Sequence, residues 1–273
     1  MPHAPFPGRA SYNQRNSTLP LHFNNLRVNE RYRRLLLGGA SDPSYANVGL
    51  LLPFGDTDGA TSTVDMSAEQ SVVTFVGDAV VDDAQSYFGN GSSVRVDSTN
   101  GGVDDYLTIP TNAAFQFGSG DFTVEFDVRF AIDPGSSSRT FVSHYGSDVN
   151  QRSWTIDVLS GVNLRFGYST TGANFSQLIT PWDPAGDVWY RMAVCRSGTD
   201  IYFFVDGTQL GSAQNIGTAD LHASTRPLYL GALDGTGGAV QDLNGWLDNV
   251  RITKGVARYT ASYTLDTEEF PIE

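Results

Sequence analysis

The sequence predicts an all-β chain, a two-sheet antiparallel sandwich, on three observations. From residue 45 onward, short alternating runs of apolar and polar residues follow one another. Clusters of Gly, Asp, Asn and Ser separate them, as turns do. Helix-like stretches are confined to two short ones, Thr111–Phe115 and Lys254–Tyr259. The expected strands are Val48–Phe54, Ser92–Asp97, Tyr106–Ile109, Phe122–Ala131, Thr140–Tyr145, Trp154–Leu159, Asn163–Tyr168, Trp189–Arg196, Ile201–Asp206, Leu228–Gly231 and Gly245–Ile252. Val48–Phe54 contains the apolar run Gly49–Phe54. Phe122–Phe130 alternates without a break. Phe122, Val124, Phe126, Val128 and Phe130 should face a core, and Thr123, Glu125, Asp127 and Arg129 should face water. Ile201–Val205 is apolar throughout and meets Asp206-Gly207, a pair suited to a tight hairpin in which both central residues take positive φ.

Composition sets the outer limits. The 273 residues are 40% hydrophobic and 12% aromatic, enough for one large core. The longest apolar runs fall far short of the roughly 20 residues of a membrane-spanning helix, so no membrane insertion is expected. The opening MPHAPFPGRA lacks a charged region followed by an apolar one, and predicts no secretory signal. Cys195, the single cysteine, excludes an internal disulfide and a Cys-based zinc site. Residues 1–40 carry six Arg and one acid, a net of +5; the remaining chain carries 11 basic and 29 acidic side chains, a net of −18. Such a body would repel nucleic acid. The Pro/Asn/Arg-rich start reads as an extended docking arm over 1–44, ahead of a sandwich over 45–273. Arg9, Arg15, Arg27, Arg31, Arg33 and Arg34 are its candidate contacts to an acidic partner surface.

Six blocks in order carry a resemblance. SDPSYANVGLLLPFGDTDGATS, QSYFGNGSSVRVDS, DYLTIPTNAAFQFGSGDFTVEFDVRF, WYRMAVCRSGTDIYFFVDGTQLG, PLYLGA and NGWLDNVRITKGVARYTASYT span about residues 42–271. Together they resemble the laminin-G-like, concanavalin A-like jelly rolls of bacteriophage virion proteins. The closing LDNVRITKGVARYT is similar to the phage branch in particular. The resemblance implies a jelly-roll sandwich and a non-enzymatic virion protein assembled in the host cytoplasm. It implies a lectin-like module on a tail fibre or tail tip, or alternatively a capsid decoration protein. The expected partners are other virion proteins through the arm, further copies of the chain, and host cell-surface glycans.

Three kinds of site follow. Related glucan hydrolases carry a Glu-x-Asp-x-x-Glu cluster on one strand. Here Glu125 and Asp127 are present, but Arg129 stands beside them and would hold both ionised, which removes the proton donor; a glucan hydrolase is the weakest alternative. The four His show no ligand spacing. No cofactor is required, though calcium could sit at a loop rim on Asp104, Asp105, Asp234 and Asp242, with Asp56 and Asp58 as a second acidic turn; the competing reading is that these are turn residues. Glycan binding needs exposed aromatic faces. Trp182, Phe175 and Tyr145 are the candidates, with Thr170–Pro184 as the longest rim loop. Trp182 and Phe175 could instead cap the core or a subunit interface, whereas Trp154, Trp189 and Trp246 sit in strand patterns and read as core. Asp248 reads as holding a turn amide, because strand residues three apart face opposite sides and Arg251 would point away from it.

Overall fold

The structure, a computed structural model, describes residues 41–89, 91–97, 105–147 and 150–272. The six arm arginines and Asp104 lie outside the described residues. Among the described residues, eighteen strands form two sheets of nine. In the first, β13 (Thr208–Gln209), β12 (Asp200–Val205), β11 (Trp189–Ser197), β6 (Phe122–Phe130), β18 (Gly245–Lys254), β4 (Ser93–Val96) and β3 (Val80–Asp82) lie in that order. β1 (Val48–Leu52) also pairs with β18, and β14 (Gln214–Asn215) with β12. In the second, the order is β10 (Ser176–Pro181), β9 (Asn163–Tyr168), β8 (Gln151–Leu159), β7 (Arg139–Gly146), β15 (Leu228–Leu230), β5 (Tyr106–Ile109) and β2 (Thr74–Val76). A hairpin of β16 (Leu233–Gly235) and β17 (Gly238–Val240) joins the end of β7 through a single parallel bridge, Asp234 to Gly146. The other pairings are antiparallel, as a jelly-roll sandwich requires.

All eleven expected strands form, with ends shifted by a few residues at most. The Asp206-Gly207 turn has φ of 49° and 73° and brings Val205 opposite Thr208, as its residue types dictate. The expected helix at Thr111–Phe115 is a 3-10 turn, Ala113–Phe115, capped by the Asn112 side chain on the Ala114 amide at 2.8 Å. No helix forms at Lys254–Tyr259. Lys254 ends β18, and Thr123 Oγ1 pins the following chain against β6 by accepting from Arg258 N and donating to Val256 O, both at 2.9 Å.

The core lies between the sheets. Phe122, Val124, Phe126, Val128 and Phe130 face inward. Phe126 meets Phe141 at 5.2 Å, and Phe117 stacks on Phe122 and Trp154 at 4.1 and 5.0 Å. Trp154 Nε1 donates to Phe115 O at 2.9 Å, which satisfies its one polar atom.

The opposite face of β6 is not in water. Thr123, Glu125 and Asp127 are buried, because residues 255–272 return across the outer face of the first sheet. Tyr259 and Tyr263 stack at 3.6 Å and cover Ala193, Cys195 and Phe204; Phe270 and Ile272 cover Val48 and Leu51. Burial pushes the Cys195 thiol up to about 12. Beneath this cover Arg191 forks onto Asp127, with Nε–Oδ1 and Nη2–Oδ2 both 2.7 Å. Arg251 Nε bonds Glu125 Oε2 at 2.7 Å, and Tyr259 donates to Oε1 at 2.8 Å. Arg258 and Arg251 both reach Asp42, which thus belongs to the sandwich although it precedes the expected boundary at residue 45. Burial disfavours the Asp42 charge, but the Arg258 hydrogen bonds, the Ser44 amide and the Arg258 and Arg251 charges together outweigh it and hold the carboxyl below its usual range. Asp248 does hold a turn amide, that of Tyr87 at 3.1 Å. The alternation argument about Arg251 fails, however. A bulge at Asn249 (φ 47°) sets Asp248 opposite Asp127 and Arg251 opposite Glu125, on one face.

In the second sheet, His144 is fully buried, and its Nε2 lies 3.0 Å from Arg226 O and 3.0 Å from Thr111 Oγ1. Burial pushes its pKa down to about 4. The unfolded chain protonates near pH 6.5 and the folded one does not, so stability falls as the pH drops from about 6.5 to about 4, by ~3 kcal/mol in all. Urea unfolding at pH 7, 5.5 and 4 checks this, with His144→Gln flattening the profile over that window.

Candidate functional site

The outer face of the second sheet is where two of the three sequence-predicted aromatics, Phe175 and Tyr145, meet. In register, β8 and β9 set Thr155 beside Gly167 and Asp157 beside Arg165. Arg165 forks onto Asp157 at 2.8 and 2.7 Å. Gly167 has no Cβ, and a methyl there would stand 2.4 Å from Phe175 Cζ; the glycine is what lets the ring lie over the sheet. Arg165 sits 5.2 Å from the Phe175 ring centroid. Tyr145 meets Phe175 at right angles at 5.8 Å, and Arg152 lies 5.9 Å over Tyr145. Phe175 keeps 36% of its surface exposed.

A wired turn presents this ring. Asn174 Oδ1 accepts from Ser169 Oγ (2.7 Å), Thr171 Oγ1 (2.8 Å), and the amides of Thr170 and Thr171 (both 3.1 Å). Gly172 takes φ +81°, and a Cβ there would stand 2.1 Å from Asn150 O. The expected rim loop Thr170–Pro184 is therefore shorter. Ser176–Pro181 forms the edge strand β10, because Leu178 alternates inward against the core while Gln177 and Ile179 face out.

On the other side of the turn, Gln116, Gly118, Thr170, Asp220, Leu221, His222 and Ala223 line an open cleft of about 310 Å³. Arg196 staples its walls, donating to the carbonyls of Gly118, Gly198, Gly217 and Ala219. His222 Nε2 is buried without a hydrogen-bond partner among the described residues.

Trp182 does not join Phe175 and Tyr145. Its ring is 8% exposed and packs on Phe130, Phe141 and Tyr190, so it caps the core rather than offering a face to a ligand. Trp189 and Trp246, read as core, are instead half-buried on the outer face of the first sheet, both in register with Arg129. Arg152, Arg165, Gly167 and Asn174 were missed. The only sequence signal was Arg165-x-Gly167 on the outward positions of one strand, and it gains meaning only once Phe175 is seen above it.

Among the described residues, three of the expected calcium ligands, Asp105, Asp234 and Asp242, do not converge. Asp105 accepts the Asp78 and Asp97 amides through its two oxygens, Asp234 pairs with Arg226 at 2.6 Å, and Asp242 lies 4.0 Å from Arg139. Each of these three is a turn or ion-pair carboxylate, and they form no common metal site. Among the described residues the one acidic trio in close approach is Asp58, Asp82 and Asp83, in which Asp82 also accepts the Trp246 indole N–H at 2.7 Å. Glu125 and Asp127 are closed off beneath residues 255–272. Arg129, expected to hold them ionised, goes to Asp187 at 3.1 Å, and Arg191 and Arg251 take its place.

Two antiparallel sheets around one core define a jelly-roll sandwich. Residues 100–258 match the family described as the concanavalin A-like lectin/glucanases superfamily, and the chain belongs to it. No curated protein matches the chain. Among solved structures it is similar to the binding domain of Paraclostridial Mosquitocidal Protein 1, at 14% identity and TM-score 0.58, over 82% of this chain and 50% of that one. It is also similar to the binding domain of Botulinum neurotoxin DC in complex with SialylT, at 12% identity and TM-score 0.57, over 78% and 49%. A structure titled for botulinum neurotoxin type C cell entry, dependent upon two ganglioside molecules, matches at 13% identity and TM-score 0.58, over 78% and 50%. The chain spans about half the length of these structures, and at such identities they share its fold.

Proposed function

We propose that this chain is a non-enzymatic, lectin-like module of a bacteriophage particle, mounted by its basic N-terminal arm and presenting the Phe175 face to host-surface glycans. The observation that carries the reading is the part-exposed Phe175 ring on its wired turn, with Tyr145 and two guanidiniums beside it. An apolar ring supplies contact area to a sugar face, and convergent polar groups read its hydroxyls. Membership of a superfamily of lectins and glucanases supports the binding half of this reading, and the burial of Glu125 and Asp127 argues against the hydrolytic half. The particle context rests on the phage-like closing motif and on the +5 arm against the −18 body. Several copies on one particle would raise a weak single-site affinity through effective concentration.

A glycan array probed with the full chain, wild type and Phe175→Ala, tests the reading. The wild type is expected to bind a subset of glycans, and Phe175→Ala to lose at least tenfold. Binding untouched by the substitution moves the site elsewhere. No binding to any glycan retires the adhesin in favour of a decoration role.

A further inference from the structure

Two arginines flank the Phe175 and Tyr145 rings, and one of them is neutralised. Arg165 is forked by Asp157. Arg152 has no carboxylate within salt-bridge distance among the described residues. Its one hydrogen bond there is from Nη1 to the Ala173 carbonyl at 2.7 Å, within the same turn that carries Phe175. That bond fixes the guanidinium plane over Tyr145, and Nε and Nη2 make no hydrogen bond among the described residues. Half of a planar fork is thus held beside a right-angled pair of aromatic rings.

We infer that the Phe175 face selects acidic sugars: a pyranose ring rests on the part-exposed Phe175, which the buried Tyr145 backs, while its carboxylate is bound by the Nε–Nη2 edge of Arg152. The inference rests on the glycan reading of that face and names its ligand class. The chemistry is specific. A carboxylate accepts two parallel N–H bonds from a guanidinium, and a charge-assisted bond is about twice as strong as a neutral one. A neutral sugar in the same place would leave the guanidinium with a hydroxyl, a poorer partner. The −18 body does not prevent this, because at physiological salt fields are screened beyond about 8 Å, and contact terms decide. Arg165 takes no part in reading the acid, since Asp157 already fills its fork; it orients Phe175.

The test is a titration of the full chain with uronate- and sialate-bearing oligosaccharides, each beside its neutral counterpart and a sulfated one. The wild type is expected to prefer the carboxylated member by at least tenfold. Arg152→Gln should bring that ratio to about one while leaving neutral-sugar binding in place, and Arg152→Lys should restore part of it. Phe175→Ala should weaken all members alike. Equal binding of acidic and neutral members by the wild type, a ratio unchanged in Arg152→Gln, or a preference for the sulfated member overturns the carboxylate assignment while glycan recognition stands. Loss of all glycan binding in the wild type overturns both.

Discussion

Asp127→Ala and Arg191→Met are each expected to lower the unfolding free energy by about 3–5 kcal/mol, with the double variant costing less than the sum. Each partner is buried, at 0% and 2% exposure, and each is satisfied by the other. Burial pushes the Asp127 carboxyl up and works against the Arg191 charge, but the two Asp127 oxygens more than offset it and raise the guanidinium above its usual range. Asn249 Nδ2 completes the carboxylate's shell at 2.8 Å. Removing one partner leaves an uncompensated charge in a site closed to water. Removing both leaves an apolar gap beside Tyr87, Phe88 and Phe270, whose rings lie 4.6, 5.1 and 4.9 Å from the Arg191 guanidinium. Chemical denaturation of the four proteins measures the coupling. A surface-facing pair, as strand alternation alone implies, would give 1 kcal/mol or less in each single variant.

Why alternation mispredicted this face shows what was legible in the sequence. Period-2 patterning places a residue on one side of a sheet, but it does not say whether the polar side is open. Phe122–Phe130 was read correctly as a strand, and its inner face was read correctly as core. The polar side was closed by a segment with no period at all, because residues 255–272 form no regular element and are held by single contacts such as Thr123 with Arg258 and Gly207 with Tyr263. The short strands β2 and β3 and the edge strand β10 were missed for a related reason. They are brief and partly exposed, so their local signal is weak. Likewise one bulge at Asn249 reversed the facing of Arg251, which no alternation count could anticipate.

The candidate site was half legible. Phe175 and Tyr145 were found as aromatics near predicted loops, and the structure brings their rings to 5.8 Å. Trp182 was chosen on the same ground and belongs to the core. The distinction lies in Gly167, whose missing side chain holds a place for Phe175, and in Asn174, whose four accepted hydrogen bonds fix the turn. Both are tertiary facts about residues that read, in sequence, as ordinary strand and turn choices.

Phe270→Ala is expected to cost about 3–5 kcal/mol, as much as truncating a phenylalanine in the central core, although Phe270 lies sixteen residues beyond the end of the last strand. The ring is 2% exposed and packs on Val48, Leu51 and Ile272. It also covers two guanidiniums at once, Arg251 at 3.7 Å and Arg191 at 4.9 Å from its centroid. Cation–π contact with desolvated cations is worth up to about 2 kcal/mol, and loss of the ring would also admit water to both buried ion pairs. The effect should therefore be coupled to the charges below: in an Arg251→Met background, Phe270→Ala should cost distinctly less. Thermal and chemical unfolding of the single and double variants checks both statements. A cost below about 1 kcal/mol for Phe270→Ala alone would mean that residues 255–272 lie on the sheet without sealing it, and that Glu125 and Asp127 are reachable from solvent after all.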